Sequence, residues 1–346
     1  MRKILVLALV LIVAAVGAAA FAAWWVERPF KGYQGSEQFV EIPPGTGPAS
    51  IGRRLVEQGV VRDELTWRVA LMRTRGAQQL KAGEYRFSGE RSARDVIGTL
   101  VRGDVFLRPI TFPEGLTIQE MARLYEARGF GAAADFLEAA ADASLIRDLD
   151  PRAEDLEGYL FPETYGLPRR SSAPVLVRAM VGRFRQVFDE TLRKEAEARG
   201  LSLREVVTLA SLVEKETAVP DERPVVSAVY QNRLRINMGL QCDPTVIYAL
   251  QRAGQYDGNL TRANLMFDSP YNTYRYAGLP PGPIAAPGRA SLEAVLRPAN
   301  VDYLYFVSRN DGSHIFSRTY NEHRRHVQEW QVEYHRRLRA EQGRSQ

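Results

Sequence analysis

The sequence predicts an α+β protein built from an N-terminal transmembrane helix, a small βααβ unit and a larger mixed α+β unit in which a helix ends on glutamate. Three observations carry this. Arg2 and Lys3 precede an uncharged run from Ile4 to Val26. Between residues 37 and 106, segments that alternate apolar and polar residues flank segments of helical spacing. From Thr117 onward the spacing is mostly helical, until Tyr303–Val307 and His314–Phe316 read as a hairpin turned by Asn310-Asp311-Gly312. With 346 residues, 45% hydrophobic and 25% charged, the chain can bury cores for two or three domains.

The opening run is long enough, as a helix of about 34 Å, to cross a hydrocarbon core. Trp24 and Trp25 close it where amphipathic rings favour the headgroup region, and the cations before it belong in the cytoplasm. Residues 1–3 are therefore read as cytoplasmic, 4–26 as a signal anchor and 27–36 as a linker. Ala18, Ala20 and Ala22 offer the competing reading, a cleaved signal peptide; the run exceeds the usual apolar region of about 7–15 residues, which favours the anchor. Cys242 is the only cysteine, so neither an intramolecular disulfide nor a cysteine-based zinc cluster can form. The net charge of +5 comes from dispersed arginines with a modest cluster at Arg324, Arg325, Arg336, Arg337 and Arg339. That balance makes no case for nucleic acid.

Phe39 to Ile42 alternates as a strand, Pro43-Pro44-Gly45 turns the chain, and Ala49 to Gln58 is helical before Gly59. Leu65 to Arg73 reads as a second helix, Gly83 to Phe87 as a strand and Ala93 to Arg102 as a helix opened by Ser92, giving one unit over 37–106. The order strand, turn, helix, glycine returns 70 residues later: Pro43, Gly45, Arg53 and Gly59 align with Pro113, Gly115, Arg123 and Gly129. This echo fits a repeated binding module and ordinary strand-to-helix grammar equally. The second unit is placed at 107–338. Its helical pattern is broken at Leu156–Thr164, an ordered loop or short strand, and resumes in helices over 202–215 and 222–235. Asp268–Pro287 must be extended loop, Asn321–Arg339 a charged, solvated helix, and 339–346 a flexible tail.

On a helix from Ser202, Glu214 falls within the apolar face and Glu216 at its edge beside Leu209 and Leu212. Partial burial at a helix C-terminus raises a carboxyl pKa, so either glutamate suits general acid chemistry. The plain readings are a buried carboxylate satisfied by arginine for Glu214 and a solvated helix end for Glu216. The four histidines, His314, His323, His326 and His335, form no HExxH pattern, and the sequence has no GxSxG and no phosphate-binding GxxxxGK[ST] loop. Cys242 reads as a small packed side chain. What survives is carboxylate chemistry on a sugar polymer. Tyr271-Asn272-Thr273-Tyr274 alternates rings with hydrogen-bonding groups ahead of a Pro-rich run, though a loop packed on the core has the same composition.

Leu209 to Thr217 (with Glu214-Lys215-Glu216-Thr217), Asn232 to Arg235, Leu240-Gln241, Asp243 to Tyr248, Pro270 to Tyr274, Gly278 to Ile284 and Tyr303 to Val307 resemble the YceG-like endolytic murein transglycosylases in order and spacing. The resemblance covers nearly the whole chain. It implies a single-pass inner-membrane anchor with an exported, periplasmic body, a LysM-like subdomain at 37–106 and a YceG-like catalytic domain at 107–338. It also implies a lyase that cuts nascent glycan strands between N-acetylmuramic acid and N-acetylglucosamine to leave 1,6-anhydro ends. The family's essential glutamate falls on Glu216, with Glu214 and Glu163 as candidate helpers. Asn232, Gln241, Asp243, Tyr248, Tyr271, Asn272, Thr273 and Tyr274 are candidate substrate-binding residues. Cys242 stands where the family pattern has threonine, so the resemblance assigns its side chain no role. Peptidoglycan strands, the inner membrane and peptidoglycan synthases are the implied partners; no metal, cofactor or nucleic acid is implied. The rivals are a peptidoglycan-binding scaffold without activity and a true hydrolase.

Overall fold

A computed structural model describes residues 2–74, 79–334 and 336; the expected tail at 339–346 and the basic residues Arg337 and Arg339 lie outside the described residues. The chain forms two compact units, one of residues up to Pro109 plus Gly166–Arg170, the other of Ile110–Tyr165 and the chain from Ser171.

The first unit opens with α1 (Arg2–Glu27), the one helix among the described residues that is long and apolar enough to cross a membrane. It continues through β1 (Glu37–Ile42), α2 (Pro48–Glu57), α3 (Glu64–Thr74), β2 (Gly83–Ser88) and α4 (Ala93–Arg102). β1 and β2 pair antiparallel, from Glu37 opposite Ser88 to Ile42 opposite Gly83. Period-two alternation buries Val40, Ile42, Tyr85 and Phe87 and leaves Glu41 and Arg86 outside. The helices cover the inner face with Ile51, Leu55, Trp67, Val96, Ile97 and Leu100. A methyl group on Gly52 would sit 2.2 Å from the Trp67 ring, so glycine is what lets α2 and α3 close. Residues 27–36, expected as a linker, are instead tied to this unit. Phe30 and Arg91 exchange backbone hydrogen bonds of 3.0 and 3.2 Å, Gly32 N donates to Gly59 O at 2.8 Å, and Val26 is buried in the core.

The echo is real in the backbone. Gly45 and Gly115 both have φ +77°, Gly59 and Gly129 both +68°, a region that disfavours any residue with a Cβ. Beyond Gly129 a second helix (Ala133–Ala140) and then, after a longer connection, a strand (Thr164–Leu167) paired with Arg108–Thr111 follow, the same order as α3 and β2 after Gly59.

β3 (Arg108–Thr111) pairs with β4 (Thr164–Leu167), and Thr111 and Thr164, both of the second unit, share a hydrogen bond of 2.8 Å. Helices α5 (Ile118–Ala127), α6 (Ala133–Ala140), α7 (Ala173–Val187) and α8 (Glu190–Ala198) lead to α9 (Leu203–Glu216). Ser202 and Glu205 form a capping box that starts α9, and Val206, Val207, Ala210, Leu212 and Val213 are fully buried against its neighbours. Those neighbours are α8, α10 (Arg223–Arg235), α11 (Asp243–Arg252) and α12 (Arg289–Leu296). Strands β5 (Tyr305–Ser308) and β6 (His314–Ser317) pair antiparallel. The C-terminal helix was expected to be solvated; α13 (Tyr320–Val327) and the wider turns after it bury no residue fully while resting on this hairpin. His323 stacks on Tyr305 at 5.1 Å, and Asn310 Nδ2 donates to Trp330 O at 2.6 Å.

Candidate functional site

The last turn of α9 sends two glutamates into different surroundings. Glu214, with a side chain 6% exposed, accepts from Arg223 at 3.4 Å through Oε1. Its Oε2 accepts from Gly288 N at 2.9 Å and Ser291 Oγ at 2.7 Å. The carboxylate thus clasps the start of α12, where Gly288 is the N-cap residue. This matches the plain sequence reading of Glu214, a buried carboxylate satisfied by arginine.

Glu216, half-buried, ends the helix and accepts from the Tyr230 hydroxyl at 3.1 Å. Burial pushes its carboxyl above the usual range; hydrogen bonds from the Cys242 thiol and Tyr230 oppose this, Asp243 adds to it, and His314 lowers it, with burial dominating. Cys242, the N-cap residue of α11, is buried, and burial together with the Glu216 charge drives its pKa well up, so the thiol stays protonated. Around this core, Tyr274 donates to Asp243 Oδ1 at 2.5 Å. His314 presents both its backbone N–H (2.9 Å) and Nδ1 (2.7 Å) to the Glu222 carboxylate. The Phe306 ring meets Tyr230 and His314 edge-on at 5.9 and 5.2 Å. Arg233 holds the wall together, donating to Leu304 O at 2.6 Å and Leu240 O at 2.7 Å.

The other expected site residues divide into three groups. Asp243 and Tyr274 stand beside Glu216 with exposed side chains, and Gln241, also exposed, takes a left-handed φ of +47° that turns the chain into α11. Asn232, Asn272 and Thr273 are buried and already engaged within the protein. Asn232 Nδ2 donates to Val301 O and Tyr303 O, both at 2.9 Å. Asn272 Nδ2 donates to Leu265 O at 3.0 Å and Phe267 O at 2.7 Å. Thr273 Oγ1 accepts from Cys242 N at 3.0 Å. Thr273 thus holds the chain at Cys242, while Asn232 and Asn272 satisfy carbonyls of neighbouring loops. Finally, Tyr248 and Tyr271 belong to a separate cluster with Glu157 and Arg252, and Glu163 is exposed and paired with Arg183 at 2.5 Å. Neither makes a contact with Glu216. Sequence reasoning missed Tyr230, the thiol of Cys242 and the His314–Glu222 pair. Tyr230 carried a usable signal, lying three residues before Arg233 on the same face of a helix already marked by Asn232-Arg233. Among the described residues no group of three or more His, Cys, Asp or Glu could hold a metal ion.

The Glu157 cluster borders a cavity of about 690 Å³. Both Glu157 oxygens lie within 3.3 Å of Ile118 N, and Oε2 also accepts from the Tyr248 hydroxyl at 3.2 Å. Burial, with help from Asp155, nevertheless raises its pKa from 4.5 to about 8. The folded state therefore keeps a proton that the unfolded chain releases, and stability from this group is full below about pH 4.5 and lost as pH rises to about 8. Urea midpoints of wild type should fall across that window, whereas Glu157→Gln should lack this component; parallel curves would contradict the assignment.

Residues 40–329 match the YceG-like family. The endolytic murein transglycosylase of Bacillus subtilis is 31% identical over 300 residues, 82% of this chain and 82% of that protein. Its namesake in Streptococcus pneumoniae is 29% identical over 326 residues, 84% of this chain; the chain spans 58% of that protein's length. The crystal structure of a YceG-like protein from Listeria monocytogenes has a TM-score of 0.58 and 32% identity, covering 84% of this chain and 98% of that one.

Proposed function

Because the chain belongs to the YceG-like family, we propose that it is an endolytic lytic transglycosylase of peptidoglycan with Glu216 as its acid/base residue. The observation that carries this is a single half-buried glutamate at a helix end, its pKa raised by burial and its carboxylate met by Tyr230 and Cys242. Protonated Glu216 donates to the oxygen joining N-acetylmuramic acid to N-acetylglucosamine, and the C1–O bond breaks as positive charge develops on the muramoyl ring. The carboxylate left behind is stabilised by the Tyr230 hydroxyl. It then removes the proton from the muramoyl 6-hydroxyl as O6 bonds to C1, closing the 1,6-anhydro ring and restoring protonated Glu216. The net change moves one proton from O6 to the leaving oxygen, so one carboxyl group suffices and water is not consumed. Asp243 and Tyr274, exposed beside Glu216, and Gln241, exposed two residues before Asp243, are the side chains best placed to meet the sugar.

In this reading α1 anchors the protein in the inner membrane at residues 4–26, with Arg2 and Lys3 cytoplasmic and the rest periplasmic. A LysM-like subdomain at 37–106 and a catalytic domain at 107–338 follow. Cutting within nascent strands beside the membrane ends their elongation, which makes peptidoglycan synthases the natural partners.

The test is mass spectrometry of peptidoglycan digested by the full chain in detergent. Anhydro-muramic ends support the lyase, reducing ends would make it a hydrolase, and binding without cleavage would leave a scaffold. Tyr230→Phe supplies a finer check. Losing a donor that favours the carboxylate raises the Glu216 pKa further, so the alkaline limb of kcat/KM should move to higher pH while the rate at the optimum falls. An unmoved limb would remove Tyr230 from the proton-transfer step.

A further inference from the structure

The way α1 enters the first unit bears on where that unit sits. α1 ends inside the unit's core: Val26 is 3% exposed, and Trp25 Nε1 donates to Thr66 Oγ1 of α3 at 3.0 Å. The Arg62 guanidinium lies 4.5 Å above the Trp25 ring and 5.2 Å from Phe30, while Arg28 covers Trp24 at 4.3 Å. A helix held by a core residue, a hydrogen bond and stacked cations cannot swing like one on a flexible tether.

α3 carries an apolar stripe that none of the described residues covers. Leu65 is 68% exposed and Met72 72%, seven residues apart and so on one face, with half-buried Val69 between them. Leu65 and Val69 line the same apolar hollow as Phe21, Ala22 and Trp25 of α1. Asp63 and Thr66 also line the hollow, but their polar atoms bond to each other and to Trp25, so the surface that α1 presents to lipid runs on into α3. Phe21, Trp24 and Trp25 form an aromatic cluster with centroids 5.7 to 6.5 Å apart, the composition favoured at the headgroup boundary. Arg28 and Arg62, stacked on those rings, are placed to meet lipid phosphates. The Asp63 carboxylate beside them is turned inward to Thr66, whose N and Oγ1 it accepts from at 2.7 and 3.0 Å.

We infer that the Leu65–Val69–Met72 face of α3 rests in the outer headgroup region of the bilayer, docking the whole βααβ unit onto the membrane surface. The occupant is the lipid surface itself, argued from continuity with the spanning helix. The inference rests on the reading of α1 as an anchor, and its test separates the two. The full chain, spin-labelled in turn at Leu65→Cys, Met72→Cys, Leu11→Cys and Glu41→Cys, is reconstituted in phosphatidylethanolamine/phosphatidylglycerol vesicles. Nitroxide collision rates with oxygen and with a water-soluble nickel chelate are then compared. Cys242 is buried and does not compete for the label. Labels at 65 and 72 should favour oxygen several-fold over the pattern at Glu41, which lies on the outward face of β1. If 65 or 72 matches Glu41 while the Leu11 label is shielded in lipid, the docking is overturned and the anchor stands. If the Leu11 label is itself open to the nickel chelate, the anchor fails and the docking with it.

Discussion

Glu216→Gln is expected to reduce formation of 1,6-anhydro ends by roughly 10²–10⁴-fold, the usual contribution of a general acid, in a protein that melts no lower than wild type. The amide keeps the shape and an oxygen that accepts from Tyr230, but it holds no transferable proton. Because burial already disfavours the charged form of Glu216, removing the charge relieves a cost rather than adding one. The decisive measurement pairs product mass spectrometry with thermal unfolding of the same preparations. Equal cleavage by wild type and variant would move the acid/base assignment to another carboxylate.

Glu214→Ala should have the opposite signature. Its side chain is 6% exposed and its partner Arg223 13%, so truncation leaves a buried guanidinium short of a counter-charge and strips Gly288 N and Ser291 of their acceptor. Breaking such a pair costs about 3–5 kcal/mol, and for a domain of this size each kcal/mol lowers the melting temperature by about 2–4 °C. Cleavage per folded molecule, measured well below that melting point, should stay close to wild type. A large loss of activity without a loss of stability would instead give Glu214 a part in the chemistry. The two substitutions lie two positions apart on one helix, and their contrasting outcomes would separate reaction from architecture.

Much of this arrangement is legible in the chain because local chemistry and tertiary structure agree. The capping signals at Ser92 and Ser202, the alternation at 39–42 and 83–87, and the hairpin at Asn310-Asp311-Gly312 all lie where the structure uses them. α11 and α12 escaped because they are short, 10 and 8 residues, and α12 owes its start to Glu214, a side chain 74 residues earlier for the Gly288 contact. The helical wheel placed Glu214 within the apolar face and Glu216 at its edge, and the structure leaves both half-buried. The wheel had no means of seeing that α12 closes over one while α10 and α11 bring Tyr230 and Cys242 to the other. The Tyr271–Tyr274 motif is ambiguous for a related reason: the amides and hydroxyls that can read a ligand are also what irregular backbone needs to satisfy its own carbonyls and N–H groups, as Asn272 and Thr273 do here.

On the export proposed for this chain, the buried thiol of Cys242 bears on how it must fold. Thiol oxidation and disulfide exchange require an accessible thiolate, and the folded protein offers neither access nor ionisation. Protection arises only when α9, α10 and α11 have come together, since these supply Glu216, Tyr230 and the corner that encloses the sulfur. A polypeptide emerging unfolded into an oxidising compartment exposes the same sulfur to mixed-disulfide formation. Its vulnerability is therefore confined to the interval between translocation and collapse of that three-helix corner, and a variant that folds slowly would be captured by oxidants even if its final structure were intact.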